Sequence, residues 1–435
     1  MKIDTIIKAG WIIPVVPENQ VYPKHAIAVS DGKIIDILPW QLADDQFEPQ
    51  TTIELFQHCL LPGLINAHTH AAMTLMRGIA DDLALMDWLQ NHIWPLEQQW
   101  VDEDFVADGT CLAIAEMLQA GITCFNDMYF FPEITAQFAQ QMGIRACIGL
   151  ILIDAATNWA QTPDQYFSKG LALHDQLRGN PFIRTAFAPH APYTVCDTNL
   201  KRMRALAHEL EIPIHMHIHE TADEVNEAMA RNGKRPLQRL SELELLSDSL
   251  MGVHMVHVTD AEIEQYAQSG AHIVHCPSSN LKLASGFCPV NQFLNAGINV
   301  ALGTDSASSN NQLDILGELR CAALLGKAVA NDASAIPAHS ALAMATINGA
   351  KALALDETIG SLESGKSADL IAVDMDTLAT RPMFDPISQL VYATQRHQVT
   401  DVWVAGQHRV QSGHLTEINI TDLKQKVADW QHRLA

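Results

Sequence analysis

The chain has 435 residues, of which 48% are hydrophobic and 18% charged, proportions that are typical of an ordered globular protein. Its 27 Lys and Arg residues against 50 Asp and Glu residues give a formal net charge of −23. Such an acidic surface repels phosphate backbones and anionic membranes, so we expect neither nucleic acid nor a membrane as a partner.

The eight cysteines occur singly in apolar stretches and form no Cys-x-x-Cys pair. This usage is typical of buried thiols in a reducing compartment. Asp4 and Lys8 interrupt any apolar core of a signal peptide, and no run of about 18 apolar residues exists to span a bilayer. We therefore expect a cytoplasmic protein.

Short β-rich runs with turn signals occur at both ends of the chain. The clearest are residues 5–7, 11–13, 26–29 and 34–37 near the N-terminus, and 370–373 and 402–406 near the C-terminus. Neither end is long enough to close a good core by itself. We expect the two ends to pair into one small β-domain.

The middle of the chain alternates continuous apolar runs with stretches that have helical spacing, for example 107–119 and 198–210. Continuous apolarity between helices is the signature of parallel strands that are buried on both faces. The apolar runs number eight, which predicts a (β/α)8 barrel: 60–67, 121–125, 146–153, 183–188, 212–216, 250–253, 271–274 and 299–302.

Several of these runs end in a titratable residue, which is costly to bury unless it is paired or bound to a metal. The residues are His68 and His70, His190, His215 to Glu220, His254 and Asp305. In a barrel the carboxyl ends of the strands converge on one mouth, where active sites are built. We therefore expect one active site made from these ends.

His68 and His70 lie on the same side of an extended strand, because side chains repeat with a period of two. A lone His-x-His is equally typical of a polar loop, but imidazoles and a carboxylate at further strand ends favour a metal site. His215, His217 and His219 share one strand face, so spacing alone does not select the third imidazole. Three imidazoles with Asp305 fit catalytic zinc, and would also accept ferrous iron or manganese. Such an ion activates water, which predicts a hydrolase.

At this point the chain resembles a known family, the amidohydrolase superfamily, and in particular its 5′-methylthioadenosine/S-adenosylhomocysteine deaminase branch. The resemblance covers essentially the whole chain. Its motifs are PGLINAHTH at 62–70, LMRGIADD at 75–82, WPLE at 94–97, APHAPY at 188–193, HIHET at 217–221, HCPSSNLK at 275–282, GTDS at 303–306 and GSLESGKSADL at 360–370. It implies a TIM barrel at 61–357 and a small β-sandwich formed by residues 1–60 and 358–435.

The resemblance also implies roles for individual residues. His217 becomes the third imidazole beside His68, His70 and Asp305, while His215 and His219 become supporting residues. Glu220 donates a proton to the ring of the substrate, and His254 with Asp305 deprotonates the metal-activated water. Glu97 accepts hydrogen bonds from ribose hydroxyls, and His190 contacts the substrate near its ring. Glu220 and Asp305 thus face the substrate as well.

The implied reaction is hydrolytic deamination of the adenine ring of a nucleoside to the inosine analogue and ammonia. Some relatives carry arginines after the third barrel strand that could pair with a homocysteine carboxylate. Here residues 149–156 contain no Arg, and Arg145 lies at the start of the strand. 5′-Methylthioadenosine, whose tail is uncharged, is therefore the expected substrate, with S-adenosylhomocysteine and adenosine as further candidates. The resemblance also implies a homo-oligomer.

Two alternatives remain open on the sequence. The first is another ring hydrolase, a deaminase or dechlorinase acting on guanine, cytosine or a triazine, and Glu97 with its lead-in 94–96 argues against it because those substrates have no ribose. The second is a silent binding or assembly protein built on the barrel. A scaffold has no physical need for six intact site residues, namely His68, His70, His217, Glu220, His254 and Asp305.

Overall fold

The computed structural model describes all residues from Met1 to Ala435. The strands are β1 (Lys2–Ile12), β2 (Tyr22–Ser30), β3 (Lys33–Pro39), β4 (Glu48–Pro62), β5 (Leu64–Thr69), β6 (Ile122–Asp127), β7 (Arg145–Leu152), β8 (Ile183–Pro189), β9 (Ile214–Ile218), β10 (Leu250–His254), β11 (His272–His275), β12 (Val300–Leu302), β13 (Leu370–Asp374), β14 (Val399–Val404), β15 (Gln407–Gln411) and β16 (His414–Leu415).

The α-helices are α1 (Trp40–Gln46), α2 (Leu85–Trp88), α3 (Trp94–Trp100), α4 (Glu103–Gln119), α5 (Pro132–Met142), α6 (Pro163–Leu177), α7 (Asp197–Leu210), α8 (Ala222–Asn232), α9 (Pro236–Glu242), α10 (Asp260–Ser269), α11 (Pro277–Lys282), α12 (Val290–Asn295), α13 (Ile315–Ala330), α14 (Ala338–Met344), α15 (Ile347–Ala352), α16 (Pro386–Tyr392) and α17 (Ile420–Leu434). Short 3-10 helices occur at Ala71–Met76 and Arg396–Gln398, and a π-helical turn, Leu89–Ile93, joins α2 to α3.

The eight central strands form one parallel sheet in chain order, from β5 to β12. After β12 the chain returns to β5, where the Asp305 amide donates to the His68 carbonyl at 3.0 Å. Each of the eight apolar runs corresponds to one of these strands, and the two predicted helices correspond to α4 and α7. The predicted (β/α)8 barrel is confirmed.

The first apolar run, 60–67, is divided between two sheets at Gly63. Residues before it finish β4 in the terminal sheet, and residues after it begin β5 in the barrel. A Cβ at Gly63 would lie 2.0 Å from Oγ1 of Thr123, so only glycine permits this close approach. The crossing point between the two sheets is therefore set by one residue.

The second sheet draws strands from both chain ends in the order β16-β15-β14-β13-β4-β1-β2-β3, and this confirms the predicted β-domain. Alternate residues of β13 face opposite ways: Ile371 and Val373 join the main core with the barrel, whereas Leu370 and Ala372 join a separate cluster of 12 buried residues. The sheet thus buries both faces, one against the barrel and one within its own domain.

The C-terminal segment also contains a long helix, α17, where the sequence analysis anticipated only strands. It packs on α4 of the barrel, with the Trp430 ring edge-on to Phe105 at 5.2 Å. The Trp430 indole N–H donates to Asp108 at 3.0 Å, and Lys426 pairs with the same carboxylate at 2.6 Å. The chain end is therefore attached to the barrel.

None of the helices combines the length and the apolar character that a membrane crossing requires.

Candidate active site

The predicted site residues converge at the carboxyl ends of the barrel strands. His68 and His70 come from the end of β5, His217 from β9, His254 from the end of β10, and Asp305 from the loop after β12. Four of them are at most 6% exposed, and His70 is partly buried. The fold thus gathers groups that lie as many as 237 positions apart in the chain.

The hydrogen bonds of two imidazoles fix which ring nitrogen carries a proton. His70 Nδ1 donates to the Met128 carbonyl at 2.5 Å, and His217 Nδ1 donates to the His190 carbonyl at 2.6 Å. In a neutral imidazole the other nitrogen is then an unprotonated acceptor. Both Nε2 lone pairs therefore face the interior of the site.

The facing atoms have the spacing and chemistry of metal ligands. His68 Nε2 lies 3.2 Å from His217 Nε2, and Asp305 Oδ1 lies 3.4 Å from His68 Nε2 and 3.3 Å from His70 Nε2. Ligands about 2.0–2.1 Å from a tetrahedral zinc ion lie about 3.3 Å from one another. Converging lone pairs and a carboxylate repel each other unless a cation lies between them, so this donor set fits a divalent metal ion.

Burial favours the neutral imidazole at His68 and His217, the form that ligates a metal, whereas at His70 the Asp305 carboxylate outweighs burial and raises the pKa. Burial lowers the pKa of His217 well below its ordinary value and that of His68 to about 4. His68 Nδ1 lies 2.9 Å from His215 Nε2, so His215 supports His68 from behind the site. His219 accepts a hydrogen bond from the Leu237 amide at 3.1 Å and is likewise a supporting residue.

Asp305 is held in a strained conformation by its neighbours. Its φ is +61°, in the left-handed region, and its side chain accepts hydrogen bonds from Ser279 Oγ at 2.6 Å and the Ser306 amide at 2.7 Å. Burial raises the pKa of this carboxyl, but the adjacent imidazoles of His68 and His70 outweigh burial and hold the pKa well below its usual range. Asp305 is therefore ionised, which suits a ligand.

Glu220 and His254 form an adjacent pair, with His254 Nε2 3.7 Å from Glu220 Oε2. His254 Nδ1 lies 2.8 Å from Asn280 Oδ1, so this nitrogen is the donor and Nε2 is free to take a proton. Burial raises the pKa of Glu220, although the nearby His254 opposes the shift. His68, His70 and Asp305 lie close enough together to ligate one ion, and His68, His217 and His254 form a second such triad that shares His68.

These groups open into a cavity of about 490 Å³. Glu97 and His190 line it together with Glu220, His254 and three of the metal-ligating groups, which are His70, His217 and Asp305. Burial raises the pKa of the Glu97 carboxyl to about 7 and lowers that of His190 to about 3, so His190 is neutral. The cavity thus brings together seven of the eight predicted site residues, and the eighth, His68, lies behind them with its Nε2 3.2 Å from that of His217.

No Lys or Arg is among the 30 residues that line the cavity, and 16 of those residues are hydrophobic. Ile153, Ala155 and Ala156 form the wall after β7, and Arg145 lies elsewhere, paired with Asp369 at 2.7 Å. Trp88 also lines the cavity, whereas Met86 does not. A ligand tail in this cavity therefore meets apolar surface and no cation.

Sequence reasoning missed several residues that support the site. Tyr129 donates to Glu97 at 2.8 Å, and Glu224 accepts hydrogen bonds from the amides of His219 and Glu220. The rule that polar residues follow apolar runs would have indicated the Tyr129 region, because Asn126 and Asp127 end the second run. Glu224 at the third position of α8 carries only an ordinary capping signal.

The fold and the cluster of metal-ligating groups define a hydrolase whose sequence matches a known family. A model of the amidohydrolase family matches residues 59–409. This chain belongs to that family, and the predicted enzyme class, a metal-dependent hydrolase of carbon–nitrogen bonds, is thereby confirmed.

Curated relatives match the chain over nearly its whole length. It is 49% identical over 432 residues to the 5-methylthioadenosine/S-adenosylhomocysteine deaminase of Teredinibacter turnerae, covering 99% of this chain and 98% of the relative. It is also 49% identical over 431 residues to the protein of that name from Saccharophagus degradans, covering 99% and 97%. The resemblance inferred from the motifs is confirmed.

Solved structures agree with the fold. A crystal structure of an adenosine deaminase from Xanthomonas campestris with bound zinc has a TM-score of 0.99 and 50% identity, covering 100% of this chain and 99% of that one. Atrazine chlorohydrolase from Arthrobacter aurescens, complexed with zinc, has a TM-score of 0.90 at 23% identity and covers 99% and 100%, which shows a shared fold alone.

Proposed function

We propose that this protein removes the amino group from the adenine ring of 5′-methylthioadenosine by hydrolysis, giving the inosine analogue and ammonia. The observation that supports this function most directly is the site itself. The facing imidazole lone pairs and Asp305 lie beside the Glu220–His254 pair, and these groups open into a largely apolar cavity. The names of the relatives, which specify deamination of adenine nucleosides, support the same reaction.

His68, His70, His217 and Asp305 would hold the divalent ion, and we propose that the ion is zinc. Bound there, the ion supplies an activated water molecule at neutral pH. The donor set supports this choice, because three imidazoles and one carboxylate are ligands that zinc accepts. The zinc in the Xanthomonas structure supports it as well.

Two residues of the chain, Asp305 and His254, are placed to accept a proton from the attacking water. Asp305 is ionised, and Oδ1 faces the ligand nitrogens of His68 and His70. His254 offers Nε2 as an acceptor because its Nδ1 is engaged by Asn280. A base within hydrogen-bond reach of the attacking water contributes a typical factor of about 10²–10⁴ to the rate.

Glu220 supplies the opposite transfer. When water adds to C6 of adenine, electrons move to the neighbouring ring nitrogen, and a protonated carboxyl there neutralises the developing charge. Burial, which raises the pKa of Glu220, favours the protonated form that this role needs. When the bond between C6 and the amino nitrogen breaks, the leaving group takes the proton held by His254, and the hydroxyl proton of the added water returns to Glu220. Ammonia and the 6-oxo ring are then released, and the Glu220–His254 pair is restored.

Glu97 and His190 bind the nucleoside on either side of the reacting carbon. Glu97 accepts hydrogen bonds from the ribose hydroxyls, which distinguishes nucleosides from free bases. His190, neutral and on the cavity wall, contacts the adenine ring. The apolar wall formed by Ile153, Ala155 and Ala156, with no cation in the cavity, favours an uncharged methylthio tail over a homocysteine carboxylate.

A substrate panel tests the proposal. Ammonia release and the ultraviolet change of the ring are measured with 5′-methylthioadenosine, S-adenosylhomocysteine, adenosine, guanine and cytosine, using the zinc-loaded protein. We expect the highest kcat/KM for 5′-methylthioadenosine. A preference for a free base would overturn the proposed function, and a preference for S-adenosylhomocysteine would overturn only the assignment of the tail.

We further propose a cytoplasmic homo-oligomer, with residues 61–357 as the catalytic domain and 1–60 with 358–435 as the β-domain. All eight cysteines are free, which suits a reducing compartment. Leu378 is fully exposed and Phe384 is 89% exposed, and contact with a second copy would bury such side chains. Light scattering on the purified protein measures the oligomeric state.

A further inference from the structure

Glu97 is a half-buried carboxyl at the wall of the cavity, and its function depends on where its oxygens point. A carboxylate on a side chain with three rotatable bonds loses conformational freedom when it binds a ligand, unless other groups already hold it. The structure holds Glu97 from two sides, through its carboxylate and through its backbone.

Tyr129 holds the carboxylate. Its hydroxyl donates to Glu97 Oε1 at 2.8 Å, which leaves Oε2 free for a ligand. Tyr129 is 4% exposed, and its ring packs against Phe130 with centroids 5.3 Å apart. The hydroxyl that holds Glu97 is therefore itself held by a packed ring.

Asn158 holds the backbone that carries Glu97. It lies in the loop between β7 and α6, and its side-chain amide donates to the carbonyls of Gln98 and Val101, both at 3.0 Å, and of Glu97 at 3.4 Å. These carbonyls are at the C-terminal end of α3, where the Glu97 carbonyl accepts from the Val101 amide at 3.1 Å but no further helical turn donates to the carbonyls of Gln98 and Val101. The loop after β7 thus fixes the end of α3.

The segment after β6 that carries Tyr129 also orients a metal ligand. The carbonyl of Met128, the residue before Tyr129, accepts the Nδ1 proton of His70. Two consecutive residues after β6 therefore fix the imidazole of His70 and the carboxylate of Glu97. The relative position of the metal ligand and the Glu97 carboxylate thus depends on one short segment.

We propose that Tyr129 is a positioning residue that fixes the Glu97 carboxylate in the orientation that accepts ribose hydroxyls, with Asn158 fixing the helix beneath it. Neither residue touches the reacting atoms. The inference rests on the proposed function, because it assigns the part of the same site that recognises the sugar.

The test compares 5′-methylthioadenosine with its 2′-deoxy and 3′-deoxy analogues. The ratio of kcat/KM between ribonucleoside and deoxy analogue measures what the hydroxyl contributes. In Glu97→Gln this ratio should approach one. In Tyr129→Phe the larger of the two ratios should fall by about tenfold, because one hydrogen bond to a charged group is removed. The change should come from a higher KM for the ribonucleoside and not from a lower kcat.

Tyr266→Phe is the matched control. Its hydroxyl, also buried, donates to the His272 carbonyl at 2.7 Å and accepts from the Gly252 amide, but Tyr266 does not line the cavity. It should lower the thermal unfolding midpoint and leave the ratios unchanged. Asn158→Ala is the second test variant, and it should also reduce the ratios. It decides the test if Tyr129→Phe does not fold.

The outcomes separate this inference from the proposed function. Unchanged hydroxyl ratios in folded Tyr129→Phe, or in Asn158→Ala if Tyr129→Phe does not fold, would overturn the inference even if overall rates fell. If the wild-type protein binds adenine nucleosides without releasing ammonia, the proposed function fails, and the same ratios are read from Kd values by calorimetry. A wild-type protein that neither binds nor converts ribonucleosides overturns both.

Discussion

Glu220 is the residue whose protonation the proposed chemistry depends on most directly. The residue is 7% exposed, and its carboxyl lies 3.7 Å from His254, beside the metal ligands but not among the groups that face the ion site. A substitution here should therefore separate proton transfer from metal binding.

Glu220→Gln should lower kcat by about 10²–10⁴-fold, because the amide keeps the shape of the side chain but cannot donate a carboxyl proton. The zinc content of the purified variant, measured by atomic emission, should match that of the wild type. Full activity in the variant would remove Glu220 from proton transfer, and loss of zinc would show that it acts on the metal site instead.

Glu318 is a buried carboxyl on α13 outside the cavity. It accepts hydrogen bonds from the Ser278 amide at 3.0 Å and from the Asn310 side chain at 2.8 Å, and burial raises its pKa to about 7. A carboxyl with a raised pKa in the folded protein stabilises it fully below the unfolded pKa, near 4.5, and this contribution is lost as the pH rises towards 7.

Glu318→Gln should remove that pH dependence. Urea unfolding at pH 5 and pH 8 should show that the variant gains free energy of unfolding relative to the wild type at the higher pH. Glu209→Gln, on the exposed face of α7, is the control and should shift neither value. Equal differences between variant and wild type at both pH values would contradict the raised pKa of Glu318.

At the scale of elements, a buried ion pair joins the barrel to the β-domain. Arg145 begins β7, and its guanidinium donates to both oxygens of Asp369, which precedes β13, at 2.7 and 3.1 Å. The side chains are 6% and 1% exposed. Removing one partner leaves the other charge buried without compensation.

Asp369→Ala should therefore lower the free energy of unfolding by about 3–5 kcal/mol. Disruption of the exposed Arg178–Asp175 pair, with side chains 67% and 69% exposed, should cost no more than about 1 kcal/mol. The free energy of unfolding is measured by denaturant titration for Asp369→Ala and for a variant that lacks one partner of the exposed Arg178–Asp175 pair. Similar losses in the two would mean that the Arg145–Asp369 pair does not hold the two sheets together.

At the scale of the whole molecule, the metal site joins strands from opposite sides of the barrel. His68 and His70 end β5, His217 ends β9 and Asp305 follows β12, so one bound ion would connect the first, fifth and eighth strands. Without an ion their lone pairs face one another at 3.2 Å.

Chelation should therefore lower the thermal unfolding midpoint as well as abolish activity, and zinc should restore both. An ion at about 100 times its Kd stabilises the folded state by about 2.7 kcal/mol. His217→Ala should remove the difference between chelated and zinc-loaded samples. Turnover that survives chelation, with less than about half an equivalent of metal bound, would contradict the metal-dependent mechanism.

Much of this arrangement could be predicted from the sequence. Strands buried on both faces show as continuous apolar runs, and a histidine or carboxylate at the end of such a run is conspicuous. The order of the barrel strands and the gathering of His68, His70 and Asp305 follow from those two signals. Spacing alone did not choose between His215, His217 and His219, because all three occupy one strand face.

Other features depend on contacts that spacing along the chain does not reveal. Tyr129 and Glu97 are 32 positions apart, and Asn158 reaches three carbonyls about 60 positions earlier in the chain. The helix α17 was detectable in principle, since Leu423, Val427, Trp430 and Leu434 have helical spacing. The β-rich runs before it drew the interpretation towards strands.

The π-helical turn Leu89–Ile93 has a consequence for how this site tolerates insertions and deletions. A π turn contains one residue more than an α turn, and successive residues of an α-helix are rotated by about 100° about its axis. Loss of one residue from the turn would restore α geometry and leave Glu97 on nearly the same face of α3, whereas loss of one residue from α3 ahead of Glu97 would turn it by about 100°. The π turn can thus absorb a one-residue deletion, whereas the proposed contact of Glu97 with ribose depends on the helical phase of α3 itself.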